Sequence, residues 1–129
     1  MSELLAATPQ FTVPDLIRTV SYYRDVLGFE VAGYWDGEQV SDEPRDPVFA
    51  IVQRDRVRIF FNRGAAAQTG RADGAYDVYF TVNGVDELAS DFRTRGAEIL
   101  DGPEDRVYGQ REVVIRDCNG IVLTFGEPR

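Results

Sequence analysis

Few side chains here can do covalent or acid-base chemistry, and their types restrict it sharply. The sequence of 129 residues holds no histidine, and all 14 basic residues are arginine, so lysine is absent as well. Ser-His and Cys-His nucleophile pairs, an imidazole base, His-ligated zinc or iron, and Schiff-base chemistry are therefore excluded. The single cysteine, Cys118, rules out an internal disulfide and any CxxC redox or zinc motif. Oxygen-only binding of magnesium, calcium or manganese by carboxylates stays open. Asp77 is the leading single candidate, because strand alternation puts it on a polar face beside Tyr79. There it could act as a general base or pair with Arg58, but no matching acid or electrophile accompanies it. Cys118 precedes Asn119-Gly120 and reads as a turn filler, with no histidine to activate it. Arg111 and Glu112 suit either a ligand mouth or a subunit contact. Neither GxGxxG nor GxxxxGK[ST] occurs.

These residues must be held by regular elements, and periodicity supplies them. Residues Thr8 to Val13 alternate polar and apolar, as a strand with one greasy face does. Asp15 then caps a helix whose stripe is Leu16, Val20, Tyr23 and Leu27, with Gly28 as its left-handed exit. Strands are expected at Phe29 to Tyr34, Val48 to Val52 and Val57 to Phe61, with an acidic exposed loop from Asp36 to Pro47. Gly64 to Ala75, rich in glycine and alanine, reads as a flexible connector.

The pattern then restarts. Asp77 to Val82 alternates, Asn83 is a candidate cap, and Val85, Leu88, Ala89 and Phe92 form a second helical stripe closed by Gly96. Glu98 to Leu100 and Arg111 to Arg116 follow as strands, with Gly102-Pro103 marking a loop. Asn119-Gly120 predicts a two-residue hairpin turn into Ile121 to Phe125. Val13 falls on Val82, Leu16 on Val85, Tyr23 on Phe92 and Arg24 on Arg93, so equivalents lie about 70 residues apart. Each half reads β-α-β-β-β, a duplicated unit rather than a solenoid repeat. One domain spans 1–129, with one module at about 7–63, a linker at 64–75 and a second module at about 76–127. Such sheets, each with a helix on one face, leave their polar faces to line a cleft. Parity assigns that lining to Thr8, Gln10, Thr12, Arg58, Phe60, Asn62, Asp77, Tyr79, Thr81, Val122 and Thr124.

The chain resembles the vicinal oxygen chelate superfamily of glyoxalase I, extradiol dioxygenases, fosfomycin-modifying enzymes and bleomycin-resistance proteins. The resemblance runs from about Ala7 to Pro128. Its carriers are Val13-Pro14-Asp15-Leu16, the run Ser21 to Phe29, Val82 to Leu88, Tyr108 to Glu112, and Arg116-Asp117-Cys118-Asn119-Gly120. It implies an α+β fold of tandem βαβββ modules forming a curved mixed sheet around a cleft. In metal-dependent members a divalent ion is held by His, Gln or Glu from both halves. The matching positions here are Thr8, Phe60, Asp77 and Thr124, and only Asp77 is a good ligand. The metal site therefore reads as lost, with no cofactor and no metal expected. The resemblance also makes proline the usual residue where Cys118 stands.

What remains is similar to the bleomycin-resistance branch, whose members are acidic homodimers that sequester a cationic drug without chemistry. The net charge is −8 and the pI near 4.5, which argues against nucleic-acid binding and suits cationic ligands or mere solubility. Tyr22, Trp35, Phe49, Phe60, Tyr79 and Tyr108 are the aromatics placed to line a groove, and such faces suit planar or cationic molecules. Trp35, after a strand and before an acidic loop, is the one least expected in a core. The expected ligand-binding set is thus Thr8, Trp35, Phe49, Arg58, Phe60, Asp77, Tyr79, Tyr108 and Thr124, with no catalytic residue. The expected protein is a cytoplasmic homodimer, without membrane or nucleic-acid partners, that binds a small molecule. Two other functions stay open. One is a divalent-metal lyase, isomerase or dioxygenase with an unusual oxygen set around Asp77. The other is a non-catalytic structural or regulatory dimer module.

Overall fold

Strand alternation and helical stripes resolve into nine strands and two helices among the described residues. The computed structural model describes residues 1–42, 45–65 and 74–129. In the first half β1 (Gln10–Val13) leads to α1 (Leu16–Asp25), then β2 (Glu30–Trp35), β3 (Val40–Ser41), β4 (Phe49–Arg54) and β5 (Val57–Arg63). In the second, β6 (Val78–Thr81) leads to α2 (Val85–Thr94), β7 (Glu98–Asp105), β8 (Gln110–Arg116) and β9 (Val122–Pro128). The first sheet has the order β1-β5-β4-β2-β3 and the second β6-β9-β8-β7. In each, the opening strand pairs in parallel with the closing one: Gln10 with Phe60, and Tyr79 with Thr124. The duplication is thus a structural one, and the α+β class expected from the sequence is the one found. The curved layer divides into two mixed sheets.

The core lies on the helix side of both sheets. Val13, Ile59 and Phe61 from the first sheet and Phe80, Leu123 and Phe125 from the second meet Leu16, Val20, Tyr23, Val85, Ala89 and Phe92 of the helices in one cluster. Each such large apolar side chain, taken out of water, contributes roughly 1.5–3 kcal/mol. Tyr23 sits edge-on to Phe61 at 5.0 Å and Phe92 edge-on to Phe125 at 5.2 Å, so each helix is keyed to its own sheet. The modules are also bonded to each other. Tyr23 donates to Asp117 Oδ2 at 2.7 Å, Asn119 Nδ2 to Thr19 Oγ1 at 2.8 Å, and Arg18 to the Cys118 carbonyl at 3.0 Å.

Several local expectations need correction. Asp15 does cap α1, accepting from Arg18 N–H at 3.0 Å, but Asn83 does not cap α2. There the N-cap is Gly84 with φ +77°, and the Glu127 carboxylate accepts from the Gly84 and Val85 amides at 3.0 and 3.2 Å. A carboxylate from β9 serves because those amides and the helix dipole both favour negative charge there. The Asn119-Gly120 turn is longer than two residues. Arg116 pairs with Val122 across a loop whose Asp117 Oδ1 accepts from Asn119 N–H and Ile121 N–H, and only Gly120 takes positive φ. Gly102-Pro103 is a bulge inside β7 rather than a loop, because Gly102 at φ +84° lets the chain press against the Glu112 carbonyl, where a Cβ would collide. The acidic 36–47 loop holds the short strand β3, paired with Tyr34 and Trp35. Positions 43–44 of that loop, and 66–73 of the connector, lie outside the described residues.

Candidate functional site

The polar faces of the two sheets carry the residues that parity assigned to them. With Val13, Ile59 and Phe61 turned to the core, Arg58, Phe60 and Asn62 must face the other way. A cavity of about 800 Å³ opens between this face and β6, lined by Thr8, Gln53, Arg56, Arg58, Phe60, Tyr79 and Thr81 among others. Polar-face residues of both modules thus reach one space. Phe60 meets Phe49 edge-to-face at 5.3 Å, and Phe49 pairs across the ladder with Trp35, which is 43% exposed at the end of β2. Thr8 lies exposed just ahead of β1. Arg58 donates its Nε–H to Gln53 Oε1 at 3.0 Å, so the pairing expected with Asp77 is replaced by one with its cross-strand neighbour.

The second module contributes a tighter polar cluster. Asp77 precedes β6 and accepts from Val122 N–H at 2.8 Å while its own amide donates to the Val122 carbonyl, pinning the start of the parallel pair. Tyr79 lies over Gly126, where any Cβ would strike its phenol, and donates to Gln110 Oε1 at 3.2 Å. Glu112 is 4% exposed. Its Oε1 accepts from Tyr108 O–H at 2.6 Å and Arg106 Nε–H at 3.2 Å. Arg106 also reaches Asp101 at 2.6 Å and Glu104 at 3.0 Å. Burial pushes the Glu112 carboxyl up, but the donors on Tyr108, Tyr79 and Arg106 outweigh it and hold the group below its ordinary range. Burial, a hydrogen bond to Glu112 and the Glu112 charge push Tyr79 well above the usual phenol value. Among the described residues the Oγ1 of Thr124, itself 1% exposed, is buried without a hydrogen-bond partner, and Glu112 Oε2 makes no well-aligned bond beyond the nearby Tyr79 phenol.

Thr8, Arg58, Phe60 and Tyr79 therefore share the cavity, with Phe49 and Trp35 continuing its face. Tyr108 is bonded to Glu112, Thr124 is buried in β9 between Val114 and Tyr79, and Asp77 belongs to the strand junction. Tyr22 does not join any of these. It sits on α1 against Tyr23, its phenol 3.4 Å from the Arg116 carbonyl and pushed up to about 12 by burial and by Asp117. Of the pair Arg111 and Glu112, only Glu112 is on the polar face; Arg111 turns outward to Asp86 and Asp105. Strand parity held the signal for Glu112, since Val113 and Ile115 are the buried core positions of β8. Cys118 lies half-buried in its turn, and burial with the Asp117 charge raises its thiol, which disfavours the reactive thiolate.

A divalent ion does not fit the four positions that the resemblance marks for one. They present an exposed hydroxyl, a phenyl ring, a carboxylate engaged by a backbone amide, and a buried hydroxyl. Among the described residues no three Cys, Asp or Glu side chains gather closely enough to hold a metal. No described helix is long and apolar enough to cross a membrane.

The chain resembles solved structures along its whole length. TioX from Micromonospora sp. ML1 superposes with a TM-score of 0.73 at 20% identity, over 95% of this chain and 97% of that one. The bleomycin-binding protein of bleomycin-producing Streptomyces verticillus, solved with copper(II)-bleomycin, gives 0.70 at 25% identity over the full length of both. A glyoxalase/bleomycin resistance protein/dioxygenase from Nocardioides gives 0.68 at 18% identity, over 99% of this chain and 85% of that one. No curated protein matches in sequence. The family model matches residues 6–125, spanning both modules and the cavity between them, and the chain belongs to the Glyoxalase/Bleomycin resistance protein/Dioxygenase superfamily.

Proposed function

We propose that this protein binds a small molecule, planar or cationic, on the polar faces of its two sheets without a metal and without chemistry. The observation that carries the reading is the pairing of an aromatic cavity with an unsuitable metal set. Phe60, Phe49 and Tyr79 offer ring faces beside a space of about 800 Å³, large enough for a drug-sized ligand. The four metal positions meanwhile supply too few donors for an electrophile. The net charge of −8 favours a cationic partner and raises its local concentration. The likeness to a bleomycin-binding protein at 25% identity supports sequestration as the biological role. The acting form is a cytoplasmic homodimer, supported by exposed apolar side chains such as Val40, Leu100 and Val107.

Calorimetric titration against cationic and planar antibiotics tests this, with metal analysis of protein purified without chelators alongside. Micromolar binding that weakens in Phe60→Ala and Tyr79→Ala is the expected result. No saturation by any compound at millimolar concentration overturns it, as does stoichiometric metal that Asp77→Ala removes.

A further inference from the structure

Independently of the cleft reading, we infer that the gap between the β4–β5 turn and α2 is a second ligand site, which takes an organic monocarboxylate with an apolar body. The duplication creates two equivalent junctions between the modules, and they differ. At one, the loop 117–121 of the second module reaches α1: Asp117 meets Tyr23, Asn119 meets Thr19, and Arg18 meets the Cys118 carbonyl. At the other, Arg54 pairs directly with Val57, so only Asp55 and Arg56 turn the chain. There α2 presents Phe92 and Leu88 where α1 has Tyr23 and Thr19. Those apolar side chains can make no such bonds, and a cavity of about 520 Å³ lies between turn and helix. Its size is that of a small-molecule site.

The walls select the class of ligand. Phe29, Phe80, Phe92 and Phe125 belong to the core cluster and line the cavity with Leu88, so the body they receive must be apolar. The charged groups that line it are Arg54, Asp55 and Arg56, two positive against one negative in a chain of net charge −8. Arg54 is fixed in place, its Nη1 donating to the Leu27 carbonyl at 2.7 Å and its Nε 4.0 Å from Asp55. Arg56 is exposed and makes no hydrogen bond or ion pair among the described residues, which leaves its planar fork for a carboxylate. One net positive charge matches a monoanion. The α2 N-terminus adds nothing to it, because Glu127 already accepts from the Gly84 and Val85 amides. Arg56 and Phe80 also line the larger cavity, whereas Leu88 and Phe92 line only the smaller one.

The probes are octanoate and 1-octanol, titrated calorimetrically into the full chain and three variants. Octanoate should bind roughly tenfold more tightly than 1-octanol. Arg56→Gln should remove that preference and leave 1-octanol within about twofold, and Leu88→Trp, which fills the cavity, should weaken both compounds about tenfold. Arg93→Gln removes the same charge from an exposed position that lines neither cavity, and should bind both compounds as wild type does. Thermal melts accompany the variants. If Leu88→Trp fails to fold, a crystal structure at saturating octanoate takes its place and should show the alkyl chain against Leu88 and Phe92. Equal affinity for the two compounds, an Arg93→Gln effect as large as that of Arg56→Gln, or no saturation by octanoate at millimolar concentration overturns the site. A loss in Arg56→Gln with none in a folded Leu88→Trp puts the carboxylate in the larger cavity and overturns it as well.

Discussion

Asp117 and Glu112 are both carboxylates buried at the end of a β8-derived turn or strand, yet their surroundings differ in kind. Asp117 has every oxygen engaged: Oδ1 takes the Asn119 and Ile121 amides and Oδ2 takes the Tyr23 hydroxyl. No guanidinium of the described residues bonds to it, and burial outweighs those three donors, so its carboxyl is pushed up. Glu112 has a guanidinium and the Tyr108 phenol on one oxygen, the Tyr79 phenol as a further donor, and a carboxyl drawn down. One group is met by neutral donors alone and the other by a guanidinium beside phenols, and that difference sets the opposite directions of their shifts.

The largest expected effect lies with Asp117. Asp117→Ala strands two turn amides and the Tyr23 phenol, and should cost about 3–4 kcal/mol in urea denaturation. A loss below about 1 kcal/mol would mean that the loop and α1 hold without it, and the contrast with Glu112 would collapse. Tyr23→Phe, which strands only one acceptor, should cost about 1–2 kcal/mol by the same measurement.

Acid titration sharpens the contrast by sign. Glu112 has a folded pKa below its ordinary value of 4.5, so its stabilising share is present above that value and is lost as pH falls through the lowered one. The stability gap between wild type and Glu112→Gln should therefore narrow on acidification below about pH 4.5. Asp117 has a folded pKa above its ordinary 3.8, so the wild type is stabilised as pH falls through the raised value toward 3.8. Relative to Asp117→Asn, the wild type should gain over that window. Urea midpoints from pH 7 downward check both, and two gaps that move the same way would erase the distinction.

Strand parity made most of the fold legible. Alternation in 8–13, 57–61 and 77–82 separated Phe61 and Phe80 from Phe60 and Tyr79, and the structure buries the first two in the core cluster. The failures share one cause, which is that sequence spacing cannot see a partner brought in by folding. Asn83 looked like a cap, but the amides of α2 are met by Glu127 from 43 residues away. Tyr22 looked like a groove aromatic, but Leu16, Val20 and Tyr23 fix the core face of α1 and leave Tyr22 beside the Asp117 turn. Glu112 looked, with Arg111, like a ligand-mouth or subunit-contact residue, but its buried place depends on Tyr108, Tyr79 and Arg106 converging on it in the fold.

Thr124→Val is the smallest expected change and the most pointed. It removes a buried hydroxyl that has no partner and keeps the β-branched shape that the β9 ladder accommodates between Tyr79 and Val114. A threonine kept for structure would be bonded, and its loss would cost roughly 1 kcal/mol or more. An unmatched one costs nothing to lose, so the valine variant should be as stable as wild type or gain up to about 1 kcal/mol in urea denaturation. A loss of about 1 kcal/mol or more would mean that the hydroxyl is bonded in solution and would make Thr124 a structural group of the β6–β9 pair.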